Sequence, residues 1–537
     1  MGRRTAAVVF AAAMAASGAL LISLTSRLTF LGDSWELLVR RSELSADSLL
    51  DPFHEHLILA PAIVYQLLLA AFGMDSALPF FVVSIGLFLF GAALLYVYLR
   101  RRVGDWLALA ACLPVLFLGA ASEDLLWEFQ MTFFGAVAAG LGALLALDRE
   151  DRRGDRAACL LLFVSMSFSG VGLAFAAAAV ADLLCGRHPR RNRAYVALLP
   201  LATYLAWWAV WGQAGGGGIA DPAQLPGDVF DAVAAGLSSL LGRPPVEEGG
   251  HPSLLARLLV VVLLVIAGLR TWRLRPPSRS LVVAATAALG FWVLISLDQG
   301  LTREPTSSRY QYPSVVLLLV LAAELVGRPP KFRLVLVAAA AISAAAVAGG
   351  LSMLRHEYDD FWRPTAEDTR SVLAAAELAG SSTQSDRRLR LPVDAIEFSV
   401  GEYASARARH GSPAFSEAEL VRRSNRERQF ADRAMAEVQA LRLGPAAPGP
   451  EAGRCRSLSP GRGANVALPP GRLLLRGGSR PSELRLGRFA DDFPVELGTL
   501  PPGATRTLSI PEDRARRAWR LAASGSPPRL CVQRILS

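Results

Sequence analysis

The sequence predicts a mainly α protein: a polytopic membrane helical bundle of about eleven crossings, followed by an extracytoplasmic α+β domain that ends in a small β-sandwich. Three observations predict it. Only 19% of the 537 residues are charged while 52% are hydrophobic, and the mean hydropathy is +0.35; soluble chains of this size carry about 25% charged residues. The apolar mass is uneven, since residues 1–352 hold the long apolar runs and 353–537 read as an ordinary charged polypeptide. The basic residues, finally, alternate between the segments that join those runs. The net charge of +10 is almost wholly arginine, Lys331 being the only lysine. It marks topology and not nucleic-acid binding.

A span needs about 20 mostly apolar residues. The runs that qualify are 6–24, 77–99, 104–120, 129–147, 194–212, 253–270, 280–297, 313–327 and 333–352. The apolar core of the first exceeds the 7–15 residues typical of a cleaved signal, so it reads as an anchor. The stretch 157–185 is flanked by arginines on both sides, which one crossing would separate across the membrane. It therefore reads as two short helices meeting at Ser167-Phe168-Ser169-Gly170, an interruption tolerated where backbone lines a protein cavity.

Residues 57–73 decide the register. As an interfacial helix, started by Asp51-Pro52 and stopped by Gly73, they leave Arg100, Arg101 and Arg102 on the inner side. The inner segments then hold twenty Lys/Arg against six in the outer loops before residue 353. That bias puts the N-terminus inside and the C-terminal domain outside.

The tail divides into a helical segment, 353–443, a linker, 444–453, and a β-rich domain, 454–537. Residues 361–378 read as helix, and Ser416 with Glu419 forms a capping box ahead of a charged helix running to about Arg442. Short runs at 473–476, 483–486 and 505–510 read as strands. Cys455 and Cys531 bracket that domain; a bridge between them would close a long loop, and two free thiols are the alternative. Cys112, Cys159 and Cys185 read as small packing residues in separate membrane helices.

The polar residues that could do chemistry lie in the outer loops. Asp33, nine residues past the first apolar run, is held near the bilayer surface, where a carboxylate can act as general base on a substrate at headgroup depth; it could equally cap a helix after Gly32. Glu36 is the substitute acid or a solvated charge. In His54-Glu55-His56 the two imidazoles would point apart on a helix and could share a metal only on an extended segment; phosphate contact or an interface role are the other readings. Glu123, Asp124 and Glu128 on a short outer turn would suit a cation, hence a divalent metal, or a sugar hydroxyl. They also satisfy the charge bias alone. Arg309 and Tyr310, at the mouth of the span that starts near Pro313, would suit phosphate or lipid headgroups. The four glycines at 215–218 read as flexible linker. No phosphate-binding loop, zinc-spaced cysteine pair or HExxH motif occurs in the sequence, and no resident cofactor is implied.

The N-terminal two thirds resembles the polytopic C-type glycosyltransferase superfamily, which includes protein O-mannosyltransferases and bacterial aminoarabinose transferases. The resemblance rests on four features. They are GDSWELL after the first span, HEHLILAPAIVYQLLLAAFGMDSALPFFVV, the split pair around Ser169-Gly170, and SSRYQYP leading into a late span. It implies an integral protein of a bacterial plasma membrane that moves a sugar from a polyprenyl-phosphate donor to a glycan, lipid or protein acceptor on the outer face, with inversion. Asp33 would be the base. His54, Glu55, His56, Glu123, Asp124, Arg309 and Tyr310 would contact the substrate or its phosphate. Relatives often carry Asp-Glu where this chain has Asp33-Ser34. The rival readings are a transporter or flippase of lipid-linked sugars, and a membrane scaffold presenting an outer glycan-binding domain.

Overall fold

In the computed structural model, the described residues are 3–42, 45–54, 56–185, 190–212, 221–273, 277–297, 304–327, 333–380, 386–393, 397–445, 455–457, 466–526 and 528–532. Glu55, Arg303, the glycines at 215–218 and linker residues 446–453 lie outside them. The chain forms two compact units. One comprises Met1–Leu28, Arg41–Leu68 and Ala77–Trp362; the other comprises Thr29–Arg40, Leu69–Ser76 and Arg363–Ser537.

The first unit is helical because its sequence offers long apolar runs that can satisfy their own backbone groups. Among the described residues, seven helices are long and apolar enough to cross a membrane. They are Arg4–Thr25, Leu78–Val103, Glu128–Leu147, Leu254–Arg273, Arg279–Leu297, Ser308–Val326 and the apolar start of Arg333–Ala379. Counted as one span, the pair Asp105–Leu116 and Gly119–Leu125, bent by 42°, makes an eighth. The sequence pattern reads this pair as one continuous span; in the structure the helix that contains Pro114 ends at Leu116. The other three expected crossings are the shorter helices Arg152–Phe168, Gly172–Cys185 and Tyr195–Val210. The split falls at Ser169, within the expected Ser167–Gly170. Leu254–Arg273 buries only Ala256 and Val260 and exposes leucine, valine and isoleucine along its length. A surface of that kind belongs against lipid.

Two sequence expectations are corrected, and one helix is new. Leu59–Phe72 is a helix of 14 residues that ends at Gly73, but it does not begin at Asp51-Pro52. Asp51 instead ends the short helix Ala46–Leu50, itself capped by Ser45. Between them Phe53 and His56 exchange backbone hydrogen bonds in a tight turn, with His54 at φ +52°, so His54 and His56 sit on neither a helix nor a strand. A buried helix at Leu225–Leu240 was not legible as apolar, and it packs on Gln311–Val326. Cys112 and Cys159 are buried, but Cys185 is exposed at its helix end.

Close packing sets the crossing of the helix Arg333–Glu357 over Gly119: a Cβ on Gly119 would lie 1.9 Å from the Gly350 carbonyl oxygen. At the end of the unit that carries the C-termini of Leu78–Val103 and Gln311–Val326, charges are neutralised in pairs. Arg102 bonds Glu324 and both oxygens of Asp148. Arg193 is bidentate to Asp155 and also reaches Asp182, whose other oxygen accepts from Arg279.

The second unit joins helices to two antiparallel sheets. Arg363–Ala379 packs on Asn425–Val438. The capping box at Ser416 and Glu419 forms, but its helix is only Glu417–Leu420; a second box, Ser424 with Glu427, starts Asn425–Val438 afresh. The strands are β1 Arg388–Leu389, β2 Phe398–Ser399, β3 Gly444–Pro445, β4 Cys455–Ser457, β5 Val466–Ala467, β6 Gly471–Arg476, β7 Ser482–Gly487, β8 Val495–Leu500, β9 Thr505–Ile510, β10 Arg520–Gly525 and β11 Arg529–Val532. The sheets run β3-β9-β6-β11-β4 and β5-β10-β7-β8, with β1-β2 apart. Leu473, Leu475, Leu508 and Leu530 form the buried face of the first sheet, and Leu484, Leu486, Leu500 and Leu521 that of the second. Each such leucine contributes about 1.5–3 kcal/mol on burial. Cys455 and Cys531, opposite each other on β4 and β11, are disulfide-bonded.

Candidate functional site

Residues far apart in the sequence meet at the loop end of the first unit. The turn Ser308–Tyr310 leads into the helix Gln311–Val326, and the short helix Ser122–Leu125 packs against it. Glu123 and Arg309 are ion-paired there, with Arg309 Nη2 2.8 Å from Glu123 Oε1. The Arg309 backbone N–H donates to the other oxygen, Oε2, at 3.2 Å. The Glu123 N–H donates to Ser308 Oγ at 3.2 Å, and that hydroxyl donates to the Ala120 carbonyl at 2.8 Å. Arg309 is thus held by protein. A guanidinium fixed by a carboxylate keeps its remaining donors aimed in one direction.

Asp124, next to this pair, is fully buried. One carboxylate oxygen accepts from the Tyr312 N–H at 3.4 Å, and Oδ1 accepts no hydrogen bond. That oxygen is buried and without a partner among the described groups. Tyr310 stacks on Phe133, with ring centroids 6.0 Å apart.

The His54–His56 turn joins the same unit through packing. Phe53 lies 5.2 Å from Phe129, which continues to Trp127 at 5.6 Å and Trp362 at 6.5 Å. Trp127 is buried within this row. His56 lies against the split helices, with Nδ1 2.9 Å from the position of a Cβ on Gly170. His54 stacks edge-on against Phe53. Among the described residues no three His, Cys, Asp or Glu side chains form a metal-ligand group.

Asp33 and Glu36 belong to the second unit. Asp33 is half-buried and follows Gly32, whose φ is +48°. Its carbonyl accepts from the Glu36 N–H at 3.1 Å, and the chain continues into a π-helical turn, Glu36–Arg40. Such turns are frequent where function distorts a helix. Glu36 is paired with Arg40 at 3.3 Å, so it is neither solvated nor a free second acid. Arg40 also bonds the Glu397 carbonyl and approaches Glu402 at 3.5 Å. Trp35 packs on Phe398 and Tyr403, at 5.4 and 6.1 Å, which fixes the turn that carries Asp33. The Tyr403 hydroxyl donates to Glu377 at 2.8 Å, and burial, then the Glu377 charge, push it well above the ordinary tyrosine range.

Sequence reasoning did not single out Ser308 or Tyr65 as site residues, whereas Glu128 was among the three acids of the outer turn. Glu128 is fully buried beside the Tyr65 hydroxyl, 3.4 Å away. Comparison of the chain with protein-family models, with curated proteins and with solved structures gives no match.

Proposed function

We propose that the chain is an integral-membrane glycosyltransferase that moves a sugar from a polyprenyl-phosphate donor to an acceptor hydroxyl on the outer face of the membrane. The observation that carries this reading is the gathering of Glu123, Asp124 and Arg309 at the ends of apolar helices. An anion-binding guanidinium beside a buried carboxylate, at the boundary of an apolar bundle, suits a ligand that is phosphate and sugar at one end and hydrocarbon at the other. The arginine bias supports eleven crossings with this end outside.

In the proposed reaction the acceptor oxygen forms a bond to the anomeric carbon from the face opposite the leaving group, and the bond from that carbon to the phosphate oxygen breaks. The acceptor proton passes to the Asp33 carboxylate, the role implied by the resemblance of the first loop. Arg309 balances the negative charge that develops on the departing polyprenyl phosphate. The assignments of Asp33 and of the Arg309 group rest on different compact units and are tested separately.

The test is transfer from a panel of polyprenyl-phosphate sugars by membranes carrying wild-type, Asp33→Asn or Arg309→Gln protein at equal expression. Asp33→Asn is expected to lower turnover by about a thousandfold or more while donor binding persists. Undiminished turnover would remove Asp33 as the base, and a wild-type protein inactive with every donor would favour the transporter reading.

A further inference from the structure

The outward faces of the two sheets differ in charge. On the four-stranded sheet acid and base compensate: Arg485 stands opposite Glu496, with their side chains 3.2 Å apart. On the five-stranded sheet β6 turns Leu473 and Leu475 inward, fully buried, and leaves Arg472 and Arg476 exposed on the other side. Arg476 stands directly opposite Arg529 on β11, also exposed, and opposite Thr505 on β9. Arg529 is opposite Ser457, and Arg472 is opposite Ser509. The described residues of the five strands include no Asp or Glu.

Like charges directly opposite on neighbouring strands destabilise a sheet, and none of these three arginines has an ion-pair partner among the described residues. We infer that this face binds a polyanionic chain carrying phosphate or carboxylate groups at intervals. One anionic group can bridge Arg476 and Arg529, which are neighbours across the ladder. Arg472 lies four residues along the same strand, roughly 13 Å away, so it must be met by a second group of the same molecule. The flanking Ser457, Thr505 and Ser509 hydroxyls suit a hydrated polymer. A bilayer is disfavoured, because among the described residues no large hydrophobic side chain beyond Phe361 is strongly exposed. This binding is independent of the transfer reaction.

The test uses the full chain in nanodiscs of zwitterionic lipid and measures binding of polygalacturonate and of polyphosphate. Replacing Arg472, Arg476 and Arg529 together by Gln is expected to weaken both by at least about tenfold, and the matching Lys variant is expected to keep most of the affinity. Arg485→Gln on the other sheet should change nothing, and inorganic phosphate at equal anion concentration should not compete. The single variants Arg472→Gln and Arg476→Gln cover the case in which the triple variant fails to fold. Binding unchanged in the Gln variants overturns the inference. So does wild-type protein that ignores both polymers, including one that instead binds phosphatidylglycerol vesicles.

Discussion

Arg309 meets Glu123 twice, once through its guanidinium at 2.8 Å and once through its own backbone N–H at 3.2 Å. The carboxylate therefore fixes both the side chain and the start of the helix that follows. Arg309→Gln leaves a half-buried Glu123 without its cation, and its expected cost is about 1–3 kcal/mol. Adding Glu123→Gln should restore much of that stability without restoring transfer. Thermal melting of the solubilised protein, read beside turnover, separates the two effects. Full rescue of turnover by the double variant would reduce the pair to a structural brace.

Gly119 tests the close crossing. Its Cβ position lies 1.9 Å from the Gly350 carbonyl oxygen, so Gly119→Ala must push the helix Arg333–Glu357 away. A loss of about 1–3 kcal/mol is expected, visible as a lower melting temperature. A variant as stable as wild type would show that the helices separate without cost.

Reduction tests the bond between Cys455 and Cys531, which are 76 residues apart in sequence. Loop closure of that length is worth about 4 kcal/mol in the chain-entropy account. Reductant should therefore make the region beyond residue 444 markedly more sensitive to protease, and mass spectrometry of non-reduced peptides should recover the linked pair. Peptides recovered only as free thiols would count against the bond.

Acid should loosen the second unit. The Ser399 N–H holds the Glu402 carboxyl below its usual range, and the Ser416 N–H does the same for Glu419. Groups whose folded-state values are depressed add stability above the unfolded value, about 4.3 for Glu. That contribution falls away as pH drops through the lower folded values. Melting temperature should decline in this acid window, and the decline should be shallower in Glu402→Gln and Glu419→Gln. Equal slopes in all three proteins would assign acid sensitivity elsewhere.

Much of the bundle was legible because apolar runs state their own length. The break at Ser169 was legible too, from the arginines on both flanks of 157–185, which make two short helices the expected reading. Leu225–Leu240 was hidden by Pro226, Gly227, Asp228 and Asp231, which lower its apolar content although its far half is buried. Asp51 looks like a helix start because the sequence does not say which neighbour it caps; it ends the preceding helix. In the tail, Ser416 and Glu419 were read correctly as a box, but Ser424 and Glu427, eight residues on, repeat the same signal and restart the helix. The pairing of Glu123 with Arg309 joins residues separated by 186 positions. Nothing local in either segment encodes it, so loop position suggested both residues but not their partnership.

The shared carboxylate of Asp182 bears on how the chain is assembled. Its two arginines arrive at very different times during synthesis: Arg193 follows by 11 residues, whereas Arg279 follows by 97. Arg193 can neutralise Asp182 almost as soon as both have emerged, sparing the helix Gly172–Cys185 an isolated charge while later helices are still being made. Arg279 can add its bond only when its own helix takes its place. The order of emergence thus gives the nascent bundle a provisional partner first and a closing clasp later.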